Sequence, residues 1–477
     1  MTKPLNELSI AEAAHGLRAK EFTVRELWDA CIGAANERNA ELNAYLELFA
    51  ADDAAIAAAQ ERIDREGDAA PLLCGIPLAM KDNILIDGHV ASASSKMLAN
   101  YTATYDATVT KKLKEAGALF IGRTNMDEFA MGSSTEHSAY GSSKNPYDIS
   151  RVPGGSSGGS ASAVAGNMAL AALGTDTGGS IRQPAAHTGL VGMKPTYGRI
   201  SRSGLIALGS SLDQAGPLAK TVADAKAIYD VMKGTDPLDS TTIADDTYPL
   251  HESGESLRIG VPRHLLEEGL DSDVCARFDE TLERLTAAGH TLVDVELPTS
   301  EYALPAYYVI MPAEASANLA RFDGIRYGHA PRGKTLLEDY TKSKTEGFGP
   351  ETIRRILLGT FVLSSGYIDA YYRKADKTRG VLRAEYDAAF TSCDVIAFPT
   401  TPSPAFRFGE KSDPVSMYLE DIFTVTANLT GMPAISVPMG MVERDGTQLP
   451  TGIHFTAPHG ADDLLFKIGA VVTGETL

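Results

Sequence analysis

Two glycine–serine segments contain the residue types that could carry out chemistry in this chain. The upstream segment, PGGSSGGSASAVAG, covers residues 153–166, and the downstream segment, TDTGGSIRQPA, covers residues 175–185. A serine hydroxyl becomes a nucleophile when a neighbouring group removes its proton, and glycines allow a ligand to approach the backbone closely. Three hypotheses follow: a phosphate cradle, an α/β-hydrolase elbow, or a serine activated by a lysine.

The first hypothesis, a phosphate cradle, lacks the lysine that such a loop requires. In the pattern G-x-x-x-x-G-K-[ST], this lysine supplies the counter-charge for the β- and γ-phosphates. Gly154 and Gly159 have the required separation, but Ser160 follows them instead of lysine. The dinucleotide fingerprint G-x-G-x-x-G is absent from both segments. The sequence therefore disfavours a phosphate site.

The second hypothesis, a hydrolase elbow, lacks the strand that must precede the nucleophile. Residues 155–159 formally fit G-x-S-x-G. However, the preceding residues, NPYDISRVP, are polar and end in Pro153, which indicates a loop. The chain contains 10 histidines, so composition leaves a histidine base open, but neither segment contains one.

In the third hypothesis, Lys81 is the candidate base. It follows LLCGIPLAM, an apolar run that predicts a buried strand ending near the lysine. Burial disfavours the ammonium form, so a buried lysine can be neutral and accept a proton. A lysine at a strand end can also simply reach into water, but the glycine–serine segments favour the catalytic interpretation.

Ser180 is the candidate nucleophile of the same hypothesis. The run MALAALG at residues 168–174 predicts a buried strand that places Ser180 at its carboxyl end, where the sites of α/β proteins usually lie. The backbone amides of Thr177, Gly178, Gly179 and Ser180 could then face a developing oxyanion, and each such donor contributes about 3 kcal/mol in the transition state. Taken alone, TGGS is equally compatible with a tight turn.

The surrounding elements alternate between helix and strand, which predicts an α/β fold. Helical patterns with capping or stop residues occur at residues 9–12, 23–26, 50–67, 108–117 and 158–167. Buried strands are predicted within residues 72–81, 118–122, 168–174, 393–401 and 433–440, and a strand–helix–strand unit within residues 257–297. Because apolar strands are spread over the whole chain, we expect one domain over residues 1–477, with a helical N-terminal part at 1–70. The polar stretch at residues 236–256 predicts a loop or a boundary.

Composition excludes several classes of function. The 477 residues carry a net charge of -19, which disfavours a chain that holds nucleic acid by itself. The N-terminus has neither a signal-peptide nor a transit-peptide pattern, and no apolar run is long enough for a membrane span. The four cysteines show no metal-site spacing. We therefore expect a cytoplasmic protein without a membrane segment or a metal.

Three motifs in this order resemble the amidase signature family: Lys81 after its strand, GGSSGGS at residues 154–160, and GTDTGGSIRQPA at residues 174–185. The resemblance covers residues 75–224 and resumes at residues 396–405 and 429–438.

The resemblance implies an α/β/α fold with a mixed central β-sheet between helices. It also implies a Ser-Ser-Lys triad in which Ser180 is the nucleophile, Ser156 the bridging serine and Lys81 the base. Ser156 is preferred over Ser157 because the family separates its two serines by 24 positions, and a cis peptide bond precedes the bridging serine in the family. The implied chemistry is an acyl-enzyme mechanism without a metal or an organic cofactor.

Other segments resemble one branch of that family, the A subunits of bacterial tRNA-dependent amidotransferases. Examples are TNMDEFAMGSSTEHSAYG at residues 124–141 and MYLEDIFTVTANLTGMP at residues 417–433. This resemblance implies that glutamine is hydrolysed and that ammonia passes to a kinase-transamidase B subunit for Glu-tRNA(Gln) or Asp-tRNA(Asn). A C subunit would complete the heterotrimer, and the B subunit would use ATP and magnesium and hold most of the tRNA.

Glutamine would require a pocket with two opposite charges. Under this resemblance, Arg355 or Arg354 is the candidate ligand of the α-carboxylate, with Arg355 preferred. Asp421 is the candidate ligand of the α-ammonium, and Tyr307 would line the pocket. Each of these residues could instead form only a structural salt bridge or packing contact.

Other motif residues have structural interpretations, and two other functions stay open. Asp176 and Arg182 are expected to brace the nucleophile loop, whereas Lys194, Arg199 and Arg202 are expected to face a partner or solvent. A stand-alone amidase for small aliphatic or aryl amides would use the same triad without a charged glutamine pocket. A non-catalytic anion-binding module would not need the triad.

Overall fold

Short apolar runs form the strands of one mixed sheet of eleven strands. The computed structural model describes residues 3–249, 251, 254–267 and 269–477. The strands, in chain order, are β1 (Tyr45–Leu48), β2 (Pro77–Lys81), β3 (Leu119–Thr124), β4 (Ala171–Asp176), β5 (Val191–Lys194), β6 (Gln214–Ala219), β7 (Arg258–Val261), β8 (Thr291–Asp294), β9 (Val395–Pro399), β10 (Ala434–Arg444) and β11 (Thr447–Thr456).

The sheet mixes parallel and antiparallel pairs. Its strand order is β1-β3-β2-β4-β6-β5-β10-β11-β9-β7-β8. Strand β2 runs parallel to β3 and β4, and β7 runs parallel to β8 and β9. The other neighbours, including β4 with β6 and β5 with β10, are antiparallel. Strands β2 and β4 therefore end at the same edge, which brings their carboxyl ends together.

Helices flank the sheet, so the predicted α/β class and the mixed sheet between helices are confirmed. The helices are α1 (Ile10–Arg18), α2 (Val24–Leu42), α3 (Asp53–Glu66), α4 (Thr108–Glu115), α5 (Gly158–Ala165), α6 (Arg182–His187), α7 (Val222–Met232), α8 (Ser272–Ala287), α9 (Ala303–Asn318), α10 (Leu336–Gly347), α11 (Pro350–Val362), α12 (Tyr372–Ala389), α13 (Pro414–Tyr418), α14 (Val425–Thr430) and α15 (Asp462–Thr473). Within the described part of the chain, none of them combines the length and the hydrophobicity needed to cross a bilayer.

The N-terminal capping boxes form as predicted. Glu12 N donates to Ser9 Oγ at 3.1 Å, and Ser9 N donates to Glu12 Oε2 at 2.7 Å. Thr23 and Glu26 form the same reciprocal pair at the start of α2. Each box satisfies backbone amides that have no partner within the helix, so these local sequence signals determine where α1 and α2 begin.

The strand that leads to Ser180 lies later than predicted. The apolar pattern placed it at residues 168–174, but β4 covers Ala171–Asp176. Asn167 has a φ of 55°, and Leu170 N donates to Pro77 O at 3.3 Å, so the residues after α5 complete a turn before the strand begins. The shift shortens the connection between the strand end and Ser180 to three residues.

The expectation that Lys194, Arg199 and Arg202 face solvent or a partner is wrong for Lys194 and Arg199, which are buried, whereas Arg202 is half-buried. Lys194 is fully buried, and its Nζ donates to Pro195 O at 2.7 Å. Arg199 pairs with Asp245, and Arg202 with Asp239. Both carboxylates belong to the polar stretch at residues 236–256, which folds back over the two arginines; residues 250, 252 and 253 of that stretch lie outside the described residues.

Candidate active site

Lys81, the last residue of β2, is fully buried among hydroxyl groups. Its Nζ lies 2.9 Å from Ser156 Oγ, 2.8 Å from Ser157 Oγ and 2.9 Å from Thr175 Oγ1. Burial lowers the pKa of Lys81 to about 7, although nearby carboxylates act in the opposite direction. A substantial fraction of this amine is therefore neutral at neutral pH, and a neutral amine can accept a proton.

The two serines beside Lys81 have different surroundings. Ser157 Oγ accepts from Thr175 N at 3.3 Å and donates to Thr175 O at 3.2 Å, so this hydroxyl is tied to the backbone of β4. Among the described residues, Lys81 is the only hydrogen-bond partner of the Ser156 side chain. Ser156 is therefore the serine whose proton is free to move.

The backbone before Ser156 needs glycine. The peptide bond between Gly155 and Ser156 is cis, as the family resemblance implied. Gly155 N donates to Gln183 Oε1 at 2.9 Å, and a Cβ at Gly155 would lie 2.2 Å from Asp127 Oδ2. Any side chain at this position would displace Asp127, which accepts hydrogen bonds from two backbone amides of the adjacent loop.

The nucleophile loop connects β4 to α6 and is organised around Asp176. One oxygen of this carboxylate, Oδ1, accepts from Gly179 N at 2.9 Å, and Oδ2 accepts from Ile181 N at 3.2 Å. These two bonds bracket Ser180, whose residue surface is 9% exposed. The position of Ser180 is thus fixed by the hydrogen bonds of its neighbours, and the residue is only slightly exposed.

Arg182 braces that carboxylate, as predicted. Its Nε lies 3.0 Å from Asp176 Oδ2 and its Nη2 lies 2.9 Å from Asp176 Oδ1, a bidentate pair in which both side chains are buried. Burial alone would raise the pKa of Asp176, but the Arg182 guanidinium holds it well below its usual range. Arg182 also donates to Thr424 O, Asn428 Oδ1 and His454 Nε2, so the brace extends to α14 and β11.

Three of the four predicted oxyanion donors are available. The amide of Gly179 is occupied by Asp176, so it is not free for that role. The amides of Thr177, Gly178 and Ser180 form no hydrogen bond with the part of the chain that the structure describes. A Cβ at Gly178 would lie 2.6 Å from the Tyr307 ring, so this position requires glycine.

The two serine loops contact each other. Ser157 N donates to Ser180 O at 3.1 Å, which places Ser156 next to the nucleophile loop. Among the described residues, no hydrogen bond joins the hydroxyls of Ser156 and Ser180 within 3.5 Å. The two hydroxyls must therefore change their positions or orientations before a proton can pass directly between them.

Asp421 lies close to the nucleophile loop. Its Oδ2 accepts from Ser133 Oγ at 2.6 Å. Thr424 Oγ1 donates to Gly178 O at 2.6 Å and also lies 3.1 Å from Asp421 O, so one hydroxyl connects the two segments. Burial raises the pKa of Asp421 to about 7, because desolvation disfavours the charged form of the carboxyl group.

Arg355 lies on the inner face of α11 and Arg354 on its outer face. Arg355 is buried, its Nε donates to Glu351 Oε1 at 2.6 Å, and its Cζ lies 4.7 Å from the ring centroid of Tyr308 and 4.6 Å from that of Tyr418. Arg354 is exposed and also pairs with Glu351. Burial next to the aromatic pair makes Arg355 the stronger candidate for a ligand contact.

Tyr307 connects this group of residues to the nucleophile loop. It lies buried on α9, where its ring contacts Gly178 and lies 5.0 Å from the ring of Tyr308. Tyr308 Oη donates to Asp421 Oδ2 at 3.5 Å. Tyr308 thus contacts both Arg355 and Asp421, and Tyr307 connects this group of residues to Gly178 of the nucleophile loop.

The sequence analysis missed four residues around Asp421 and Arg355. They are Ser133, Tyr308, Glu351 and Tyr418, and they contact the side chains of Asp421 and Arg355. One signal was present, since Glu351 precedes Arg355 by four positions and residues at that spacing meet on one face of a helix. The other contacts join distant parts of the chain and have no local signal.

Comparisons with known proteins agree with this architecture. The family model described as Amidase matches residues 26–466. The chain is 49% identical over 472 residues to the A subunit of the glutamyl-tRNA(Gln) amidotransferase of Pseudomonas aeruginosa, with 97% of this chain and 96% of that protein covered.

Solved structures show the same fold. The A subunit of the glutamyl-tRNA(Gln) amidotransferase from Thermotoga maritima aligns with a TM-score of 0.81 at 39% identity, covering 99% of this chain and 95% of that chain. The peptide amidase from Stenotrophomonas maltophilia aligns with a TM-score of 0.80 at 29% identity, covering 99% of this chain and 97% of that chain. The chain therefore belongs to the amidase family and is an enzyme of the amidase and amidotransferase type.

Proposed function

We propose that this enzyme hydrolyses the side-chain amide of glutamine with Ser180, Ser156 and Lys81. The observation that carries the proposal is the buried Lys81 amine, which lies 2.9 Å from Ser156 Oγ and whose pKa burial lowers to about 7. A serine protonated at ordinary pH needs such a base before it can attack an amide.

The acylation step uses the two serines as a proton relay. Ser180 Oγ attacks the amide carbon while its proton moves to Ser156 Oγ, and the Ser156 proton moves to Lys81 Nζ. The negative charge that develops on the carbonyl oxygen is stabilised by the amides of Thr177, Gly178 and Ser180. The relay then returns a proton to the leaving nitrogen, ammonia departs, and a γ-glutamyl ester of Ser180 remains.

Deacylation repeats the relay with water as the nucleophile. Water attacks the ester carbon and its proton passes through Ser156 to Lys81. The tetrahedral intermediate then expels Ser180, which regains a proton from the same relay, and glutamate is released. The chemistry assigned to this chain uses protein side chains and backbone amides.

Glutamine selection is assigned to the charged pocket beside Ser180. Arg355 would bind the α-carboxylate, Asp421 would bind the α-ammonium, and Tyr307 would line the space between them. The support for this assignment is that Arg355 and Asp421 are both buried, that Thr424 connects Asp421 to Gly178 of the nucleophile loop, and that Tyr308 contacts both Arg355 and Asp421. A bound ammonium also favours the ionised form of Asp421, so substrate binding would lower the pKa that burial raises.

The ammonia is proposed to serve transamidation by a separate B subunit. Relatives that are 46% to 50% identical are named as the A subunit of glutamyl-tRNA(Gln) amidotransferase, and this name supports a role in a multisubunit enzyme. In the proposed cytoplasmic heterotrimer, the B subunit uses ATP and magnesium and holds most of the tRNA, and a C subunit completes the assembly. The net charge of -19 suits a chain that leaves nucleic-acid binding to a partner.

A stand-alone amidase is the second candidate function. The fold similarity to a peptide amidase at 29% identity favours it, because the same scaffold carries that activity. Ammonia release by the purified chain separates the two candidates when kcat/KM for glutamine is compared with that for propionamide, using Ser180→Ala as the blank. A preference for glutamine supports the proposal. A preference for propionamide contradicts the roles of Arg355 and Asp421 and leaves the triad intact.

A further inference from the structure

Asn83 is a buried amide with only half of its hydrogen-bonding groups in use. It lies two residues after Lys81, and its side chain is buried. Its Nδ2 donates to Thr175 Oγ1 at 3.0 Å, whereas its Oδ1 is buried and has no partner among the described residues. A buried polar atom without a partner lowers stability, and an apolar side chain would avoid that loss. The donation to Thr175 is therefore what the amide adds at this position.

The amide nitrogen fixes the direction of the hydrogen bonds around Thr175. An amide nitrogen can only donate, so Thr175 Oγ1 accepts from Asn83. The proton of the Thr175 hydroxyl then needs an acceptor of its own. Within the described part of the chain, Lys81 Nζ is the only other group in hydrogen-bond contact with Thr175 Oγ1, at 2.9 Å. The hydroxyl can pair its proton there only by donating to the lone pair of a neutral amine.

The two protonation states of Lys81 use these contacts differently. A neutral amine accepts from Thr175 and donates its two protons to Ser156 Oγ and Ser157 Oγ, at 2.9 Å and 2.8 Å. An ammonium has three protons to donate, so Thr175 Oγ1 accepts one of them while its own proton stays unpaired. Ser157 Oγ is an acceptor in both states, because its proton goes to Thr175 O at 3.2 Å. The contacts therefore favour the neutral amine.

The charges around Lys81 act in both directions. Burial lowers the pKa of the Lys81 amine, whereas three carboxylates raise it. These carboxylates are Asp127 after β3, Asp176 at the end of β4 and Asp213 before β6. Asn83 faces the amine from the residues that follow β2, and the positive N–H end of its amide points at Thr175 Oγ1. Asn83 thus acts in the same direction as burial and against the carboxylates.

We propose that Asn83 is a positioning residue that acts through Thr175 to hold Lys81 in its neutral, proton-accepting form. Rotation about the Cε–Nζ bond exchanges the lone pair between Thr175 and Ser156, whose oxygens both lie 2.9 Å from Nζ, so the amine can then take the Ser156 proton. Once the amine is charged, the unpaired Thr175 proton favours return of that proton to the leaving nitrogen. This inference rests on the Ser-Ser-Lys relay of the proposed function.

The test measures how pH activates Ser180 without glutamine, so Asp421 is not involved. An alkyl fluorophosphonate reacts with an activated serine: an Oγ–P bond forms, the P–F bond breaks, fluoride departs, and the Ser180 proton passes through Ser156 to Lys81. The labelling rate of the purified full-length chain should rise with pH and level off once Lys81 is neutral. Mass spectrometry measures the labelled fraction, and Ser180→Ala is the blank.

Asn83→Leu removes one hydrogen bond of the side chain, because Oδ1 has none to lose. We expect the midpoint of its pH profile to lie about 0.5–1 pH unit above that of the wild type, the equivalent of one hydrogen bond. At high pH its rate should approach the wild-type plateau. Asn83→Asp keeps the shape of the side chain but replaces the donor by an acceptor, so it should raise the midpoint at least as far.

Two further variants control this experiment. Asn125→Leu removes another buried amide, which accepts from Ser138 Oγ at 2.6 Å and does not contact Lys81, so the midpoint should stay at the wild-type value even if the plateau falls. Thr175→Val removes the hydroxyl through which Asn83 is proposed to act. In that background, Asn83→Leu should no longer move the midpoint.

Other outcomes overturn the inference in distinguishable ways. An unchanged midpoint in both Asn83 variants, with a lower plateau, leaves Asn83 a structural role only, and the proposed function stands. A lower midpoint shows that Asn83 favours the ammonium. A shift that persists in the Thr175→Val background rejects the route through Thr175. Absence of Ser180 labelling in the wild type at every pH rejects the relay, and with it the proposed function.

Discussion

Two lysines of this enzyme, Lys81 and Lys194, share burial and pKa but have different neighbours. Each is the last residue of a strand and fully buried, and burial lowers the pKa of each to about 7. Lys81 Nζ meets the hydroxyls of Ser156, Ser157 and Thr175, whereas Lys194 Nζ donates to the carbonyl of Pro195 at 2.7 Å.

The comparison separates the conditions for a neutral lysine from those for a catalytic base. A hydroxyl can give up a proton and accept another, but a carbonyl can only accept a hydrogen bond. Lys194 also lies close to Arg182, whose positive charge adds to the effect of burial on its pKa. A shifted pKa therefore marks both lysines, and only the groups in contact with the amine distinguish them.

Removal of either serine of the proposed triad should have the largest effect. We expect Ser180→Ala and Ser156→Ala each to lower kcat for glutamine by roughly 10⁴-fold or more, because the relay works as one unit. Ser157→Ala is the matched control: Ser157 lies equally close to Lys81 but is tied to the backbone of β4. Its kcat should fall by about tenfold at most. The rate of ammonia release gives kcat for all three variants. A decrease in kcat for Ser157→Ala as large as that for Ser156→Ala would contradict the different roles assigned to the two serines.

Replacement of the two lysines by methionine tests the comparison directly. Lys81→Met should lower kcat by about 10³-fold, since it removes the base while keeping the volume of the side chain. Lys194→Met should keep kcat within about tenfold of wild type, because methionine fills the same space and removes a buried amine with one hydrogen bond. Ammonia release gives kcat, and thermal melting verifies that both variants fold. Equal losses in the two variants would contradict the distinction drawn between them.

Asp421→Asn should raise KM for glutamine about 10- to 100-fold, the range expected for loss of one charge-assisted contact. The reason is that asparagine keeps the shape of the side chain but cannot neutralise the α-ammonium. Propionamide has no ammonium, so its kcat/KM serves as the internal control and should stay near the wild-type value. A comparable loss with propionamide would show that Asp421 supports the loop rather than the ligand.

A change of pH should give the smallest effect. We expect kcat/KM to change about tenfold per pH unit for each titrating group, Lys81 and Asp421. Lys81 must be neutral and Asp421 ionised, and the pKa of each lies at about 7, so kcat/KM for glutamine should rise with pH and level off above that value. Below pH 7 the logarithm of kcat/KM should rise with a slope approaching two in the wild type and one in Asp421→Asn. If the slope stayed at two in Asp421→Asn, the titration of Asp421 would not contribute to the pH dependence.

Much of the site was predictable because its signals are local. The apolar run before Lys81 indicated a buried strand end, and the glycines around Ser180 indicated a backbone close to a ligand. The capping boxes placed the starts of α1 and α2 correctly. By contrast, the strand before Ser180 was predicted three residues too early, because hydrophobicity alone does not show that the apolar residues after Asn167 form a turn.

Contacts between distant segments were not predictable. Ser133 and Asp421 are 288 positions apart, and Arg182 and Asn428 are 246 positions apart. The occupation of the Gly179 amide by Asp176 depends on the path of a short loop, and the sequence showed only that the amide was close to Ser180. The burial of Lys194 results from its place within the sheet, which strand order decides.

The sequence by itself determined the elements and the chemical groups of this protein. Periodicity and capping residues act over a few positions. They therefore indicate helices, strands and the glycine–serine loops without reference to the rest of the fold. Only the tertiary structure decided which lysine contacts hydroxyl groups, which serine hydroxyl has no bond to the backbone, and which arginine is buried between Tyr308 and Tyr418. Those outcomes depend on strand order and on packing between distant segments, because burial and hydrogen bonding are properties of the assembled fold.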